Sequence, residues 1–480
     1  MARPGVTVTT RDAPPASGPP IRTGTAFVIG LAQSGSVIAP VKVESLVDFE
    51  REFGARQSYS YLYDALDVFF REGGGSAYVS RVVGNGAVAS SVTLNASTGP
   101  TIVVAAKSPG TYAEDWTATV TVSGGTTTLT IKDGAGATLE SYATPSTGSK
   151  AAFLAYTGWQ YIAITDADPA DGDPIAVTNA GFAGGVDDIG GVTDSDYFEA
   201  LDRIPAALGP GQVAAPGVTD TDVQAAVLAH AEANNRVAIL DTPNTGVVAT
   251  LTAHATTMRA TGRGDYGMLL GSWVKVPGVG GTAALRTVPG SAVQMGLEAR
   301  RDRLESQNVP AAGRSYPYSY VSALVREFSD PDRTTLINAG VVVAKTVGSV
   351  FETYGYRSLA STATDPNWVQ FNFARLRMAI AARAEDIGES FLFEQIDGKG
   401  LKLAEFGSAI SGMLLDFYLA GSLYGESPDD AFRVDVGSSV NTAETIAAGE
   451  LHAVAAVRMS PHAEMVVIEF VKTPITQSVG

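Results

Sequence analysis

The sequence contains no cysteine. That excludes disulfides, iron–sulfur clusters, thiolate zinc sites and cysteine nucleophiles, and it leaves stability indifferent to the redox compartment. No run of about 18 uninterrupted apolar residues occurs, so an ordinary transmembrane helix is not expected. Met1-Ala2-Arg3-Pro4-Gly5 leads into no apolar stretch of the kind a secretory signal carries, and such a signal is not expected either. Histidine is scarce: His230, His254, His452 and His462 show neither H-E-x-x-H nor H-x-x-x-H spacing, so a zinc site would need scattered ligands. There is no G-x-x-x-x-G-K-[ST] loop and no G-x-G-x-x-G after a strand, which removes support for ATP or dinucleotide binding; no cofactor is expected. Positive charge is in deficit, with 33 Lys and Arg against 50 Asp and Glu, a net charge of -17. This disfavours direct contact with nucleic acid or insertion at an anionic membrane, and it keeps concentrated copies soluble.

What is present is enough for several packed units. A chain of 480 residues suggests two to four of them at roughly 100 to 200 residues each. With 45% hydrophobic and only 17% charged residues, broad disorder is excluded.

Residues 1–22 read as an arm. Val6 and Val8 alternate with Thr7 and Thr9 as a strand would, and Pro14, Pro15, Pro19 and Pro20 follow as a stiff tether able to reach away from its own domain. A frayed chain end is the plainer alternative. From Thr25 the pattern alternates between strand and helix. Ala26 to Gly30 is a short buried strand; Tyr59, Leu62, Leu66, Phe69 and Phe70 share one helical face, Gly73-Gly74-Gly75 stops that helix, and Ala77 to Val82 returns as a strand. Between about 94 and 186 the composition turns to Thr, Gly, Ala and Val, with strands such as Ala118 to Val122 joined by tight turns at Gly124-Gly125, which reads as an inserted all-β domain. The alternation then resumes through a helix from Asp222 to Asn234 and a buried strand from Val237 to Asp241, implying a mainly parallel sheet covered by helices on its faces. Further on, Phe371 to Ser390 and Leu403 to Gly421 are long helices. Glu464 to Val471 is apolar on nearly both faces, as a central strand with two neighbours would be.

Two arrangements invite a chemical reading. Asp241, His254 and Ser291 occur in the Asp, His, Ser order of subtilisin-type hydrolases, but with short separations and no Gly-Thr-Ser elbow, so a serine hydrolase is only a remote alternative and no catalytic residue is assigned. Asp166, Asp168, Asp171 and Asp173 surround Gly172 and could attract Ca2+, yet the spacing is not that of an EF-hand loop and no Glu closes it; with Pro169 and Pro174 nearby, a solvated acidic turn is the better reading and no metal is assigned.

A set of ordered motifs points elsewhere. They are Arg3-Pro4-Gly5-Val6; Phe69-Phe70-Arg71-Glu72-Gly73-Gly74-Gly75 running to Tyr78-Val79-Ser80-Arg81-Val82; Ser108-Pro109-Gly110-Thr111-Tyr112-Ala113-Glu114-Asp115-Trp116; Gly184-Gly185-Val186-Asp187-Asp188 before Asp196-Tyr197; Tyr354-Gly355-Tyr356-Arg357-Ser358-Leu359 with Trp368 and Arg375-Leu376; and Phe432-Arg433-Val434-Asp435 before Asn441-Thr442 and Gly449-Glu450-Leu451. In these the chain resembles the contractile tail sheath proteins of bacteriophages and related contractile injection systems. Tyr356 stands where that family often has a small residue, and Pro289-Gly290-Ser291 replaces a P-P-S-type run.

The resemblance implies an α/β fold with a subtilisin-like core lacking protease activity. It divides the chain into an N-terminal exchange arm (1–22), a split core (23–93 and 187–365), an inserted outer β domain (94–186) and an inner α+β C-terminal domain (366–480) that ends in an exchange strand (464–472). It further implies that strands are lent between subunits, through Val6, Thr7, Val8 and Thr9 at one end and Met465, Val466, Val467, Ile468 and Phe470 at the other. The expected partners are further copies in stacked, hexameric rings, a tail tube, a baseplate and a tail terminator, in a virion assembled in the host cytoplasm. Arg375, Arg377, Arg383, Lys399 and Lys402 are the candidates to face the tube, a solvated helix face being the alternative. A secreted surface or adhesion protein with a β-rich insert is the other class to weigh.

Overall fold

The computed structural model describes residues 23–282 and 284–466. Its centre is an eight-stranded sheet of β1 (Ala26–Leu31), β2 (Val41–Val43), β3 (Ala77–Val82), β4 (Gly211–Ala214), β5 (Arg236–Asp241), β6 (Gly267–Leu270), β7 (Val341–Val347) and β8 (Val350–Tyr354), in the order β8-β7-β6-β5-β4-β1-β3-β2. The six inner strands run parallel; β2 and β8 are antiparallel edges. A parallel sheet of this kind is covered on both faces, and the side chains divide accordingly. Ala26, Val28, Val237 and Ile239 enter one core with α1 (Leu62–Glu72) and α4 (Gly290–Leu304), whereas Phe27, Ile29, Ala238 and Leu240 enter another with α2 (Thr221–Ala233) and α3 (Val248–Arg259). Helix α1 begins at Leu62, so Tyr59, expected on its face, lies before it. Its close approach to α4 requires Gly296: a Cβ there would come within 2.5 Å of the Glu72 Cβ.

Residues 91–181 form a β unit with its own core, which includes Ile102, Val104, Trp116, Leu129, Ile131 and Phe153. One antiparallel sheet has Pro100–Ala106 between Ser91–Asn95 and Ile162–Asp166; the other orders Val177–Gly181, Thr117–Ser123, Thr126–Lys132 and Thr138–Pro145. The hairpin from Ser123 to Thr126 turns through Gly124 and Gly125, both at positive φ, a conformation glycine adopts without strain.

After β8 the chain crosses the core through Tyr356 and enters α5 (Phe371–Phe391) and α6 (Leu401–Leu419), whose facing residues Leu376, Ile410, Leu414 and Phe417 make a separate core. A ribbon of β9 (Phe432–Asp435) and β10 (Val454–Val457) packs against α6. Among the described residues this ribbon has no third strand. The central strand expected over Glu464 to Val471 is not formed in its described part: Glu464, Met465 and Val466 belong to no strand, and Met465 and Val466 are 80% and 77% exposed. Val467, Ile468 and Phe470 lie outside the described residues, as do Val6, Thr7, Val8, Thr9, Pro14, Pro15, Pro19 and Pro20.

Candidate functional site

The Asp241, His254 and Ser291 set is brought close, but in the wrong arrangement for hydrolysis. Ser291 donates its N–H and its hydroxyl directly to the Asp241 carboxylate, at 2.8 and 2.5 Å. His254 Nε2 lies 2.7 Å from the Gln224 amide oxygen, and Gln224 in turn donates to the Asp241 carbonyl. A triad needs the imidazole between acid and hydroxyl, and a nucleophile that substrate can reach. Here the hydroxyl and carboxylate are joined without the ring, and Ser291 is fully buried. Burial pushes the Asp241 carboxyl up to about 6, offset in part by its hydrogen bonds from Gly217 and Ser291, and burial lowers His254. These groups tie the carboxyl end of β5 to the start of α4.

The acidic turn holds a cation of its own. Lys150 Nζ stands 2.7 Å from an Asp166 carboxylate oxygen and donates to the carbonyls of Asp168 and Asp171 at 2.6 and 3.2 Å. Asp173 accepts from the Gly148 and Lys150 N–H groups at the start of the short helix Ser149–Ala155. Replacing Lys150 by Met is expected to destabilise the β unit by about 2 kcal/mol, because it leaves oxygens gathered around a missing charge; calorimetry should show one transition moving down while the others stay. Elsewhere among the described residues, Asp194, Asp220 and Asp222 cluster at the surface. Asp220 caps α2 by accepting from Asp222 and Val223 N–H, a role that needs no ion.

Several of the motifs quoted above meet at two joints. At the first, Arg81 is buried and donates to the carbonyls of Ala32, Gln33 and Pro109. The Ser90 hydroxyl donates to Gly110 O, Asp187 accepts from the Thr111 N–H and hydroxyl, and Glu114 accepts from Gly185 N–H. The Arg81 and Ser108-to-Trp116 motifs thus fasten the β unit to the central sheet, with the Gly184-to-Asp188 run closing the joint.

The second joint holds α5 to α4. Arg375, fully buried, forks onto Glu298 and Asp302, and the Tyr356 hydroxyl donates to both Glu298 oxygens at 2.8 and 2.9 Å. Burial alone would lower the Arg375 pKa, but the charges of Asp302 and Glu298 outweigh it and hold the guanidinium above its usual range. Arg375 is therefore not a tube-facing residue. It lies on the buried stripe of α5 with Phe371, Ala374 and Met378, and its charge is spent inside the chain. Arg377 is also engaged, on Asp265 at 2.6 Å and stacked over Tyr266 and Trp368. Arg383 covers the Phe417 ring, Lys402 pairs with Glu394 and Glu405, and Lys399 is exposed.

Both ends of the described chain are fixed near this joint. Thr23, buried, donates its hydroxyl to Asp302 at 2.6 Å and accepts from Gln307 at 3.0 Å. At the other end, Gln370 exchanges two 3.0 Å hydrogen bonds with the His462 backbone, as a neighbouring strand would, and Arg357 forks onto Glu464 at 2.6 and 2.9 Å. Partial burial would raise the Glu464 carboxyl, but His462 and Arg357 hold it at about 2. Thr23 and Asn372 carry no functional signal in the sequence; Glu464 opens the expected exchange strand and His462 is one of four scattered histidines, but nothing local marks either for these contacts.

No protein-family model and no curated protein matches the chain. Solved structures do. A sheath tail protein from Listeria innocua superposes with a TM-score of 0.63 at 13% identity, over 87% of this chain and 89% of that one. A sheath tail protein from Desulfitobacterium hafniense gives 0.59 at 14%, over 90% and 93%. The chain has the fold of a contractile sheath protein. The contracted helical sheath of the anti-feeding prophage matches this sheath fold over 98% of the present chain and all of its own, with a TM-score of 0.57 and 14% identity. Matches of that extent include the β unit and the C-terminal helices as well as the central sheet.

Proposed function

We propose that this sheath-fold chain is a structural subunit that polymerises helically around a tail tube in a high-energy extended state and contracts to drive the tube through a target envelope. The observation that carries the proposal is the end-to-end likeness to sheaths of contractile injection systems, one of them in its contracted assembly. On this reading the central α/β sheet is a subtilisin-like core without enzymatic activity, and residues 94–186 form an outer domain. Residues 366–480 form an inner one. The two-stranded ribbon of β9 and β10 supports strand exchange, since its edges carry no further strand among the described residues and suit strands lent by neighbours: Val6 to Thr9 from one, Met465 to Phe470 from another. Such head-to-tail pairing does not close on itself and propagates as a helix.

Stacked hexameric rings, a tube, a baseplate that triggers contraction and a terminator complete the machine, assembled in the cytoplasm of the host and carried by a virion or a related injection particle. No nucleotide is needed if each subunit's extended state lies a few kcal/mol above its contracted one. With Arg375 committed inside the fold, Lys399 is the freest of the candidate cations for the tube. Negative-stain microscopy of the purified protein tests the reading: long striated tubes are expected, and discrete particles alone would reject it.

A further inference from the structure

The ends through which a subunit would grip its neighbours are joined inside the chain by a short polar path. Thr23, where the arm enters the fold, is bonded to Asp302, and the other Asp302 oxygen receives Arg375. One turn earlier on α5, Asn372 donates to Ser460 O at 3.1 Å and to Asn308 at 3.0 Å, and its oxygen lies 3.1 Å from His462 Nδ1. Glu464 on Arg357 ends the path.

We propose that Thr23, Asp302, Arg375, Asn372 and the Arg357–Glu464 pair form a strut, so that a pull on the N-terminal arm passes to the C-terminal tail of the same subunit through one turn of α5. Three observations carry this. Thr23, Arg375 and Asn372 are essentially buried, so water does not compete for their bonds. The connecting piece is a 21-residue helix, stiff along its axis. A buried ionic set is also no better for stability than well-packed apolar residues of similar volume, so stability alone does not account for it. The strut rests on the sheath reading: only a polymer whose neighbours hold both ends loads it. In that setting each subunit is a link, and the weakest bond between its two grips sets the stress at which the polymer parts.

The test uses the full chain with Thr23→Val, Asn372→Leu, which cuts the bonds from α5 to the tail, and the two combined, together with Thr23→Ser, which keeps the hydroxyl. Sheaths are pelleted in rising urea, and unpolymerised subunits are unfolded in parallel. In subunits the two changes, lying at separate sites, should shift the unfolding midpoint additively. In sheaths each single change should lower the urea concentration at which tubes part, and the combined variant should go no lower than the weaker single, because a strut cut once is already cut. Thr23→Ser should part like the wild type. Additive effects in sheaths, or parting at the wild-type concentration, would overturn the strut; a wild-type protein that makes no sheaths would instead remove the reading beneath it.

Discussion

Arg375→Ala is expected to cost about 3–5 kcal/mol, the cost typical of removing one partner from a buried ion pair. Glu298 and Asp302 would lose their counterion inside the fold; burial already holds the Glu298 carboxyl above its usual range against the pull of Arg375, so it would either stay charged unpaired or take up a proton that the Tyr356 hydrogen bond does not favour. Arg375→Lys should recover only part of this, since one ammonium cannot span two carboxylates as the planar fork does. Combining Arg375→Met with Glu298→Gln and Asp302→Asn removes every charge and should recover most of the loss. Chemical unfolding followed by the tryptophan signal measures all three; an alanine variant within about 1 kcal/mol of the wild type would show that the site can relax and rehydrate.

Removing residues 1–20 should have a larger effect on assembly than any point change. Thr23 and its bonds to Asp302 and Gln307 remain, so the subunit should stay soluble with a melting temperature within a few degrees of the full chain. Pelletable polymer should fall to background, because heterologous exchange cannot propagate when one of its two grips is missing. Normal tubes from the shortened protein, seen by electron microscopy, would refute exchange through the arm.

The strands and helices were the legible part of this molecule. β1 and β5 are short apolar runs between turns, and a parallel sheet buried on both faces produces just such runs. Periodicity places helices over Phe371 to Ser390 and Leu403 to Gly421; the first start coincides with the structure, and the second helix runs two residues earlier at both ends, Leu401–Leu419. What escaped was the pairing of polar groups across great separations: Thr23 with Asp302 across 279 positions, Arg357 with Glu464 across 107. No local pattern encodes such contacts. Arg375 left a trace, since it falls four residues after Phe371 and one after Ala374, on the stripe that α5 buries; its charge suggested solvent and its spacing suggested the core. The spacing was the better guide. The Asp, His, Ser order is no guide to chemistry either, because order along a chain says nothing about which two of three side chains will touch.

Lys150 gives the β unit a property that a calcium-bound loop of similar make-up lacks. An ion drawn from solution is lost when the surroundings are dilute or contain chelators, and a loop built on it loosens at the same moment. An ammonium on a covalent stem has a local concentration fixed by the chain, whatever medium surrounds the particle. On the proposed sheath role, a particle that leaves the cell keeps this turn's cation whatever medium it enters.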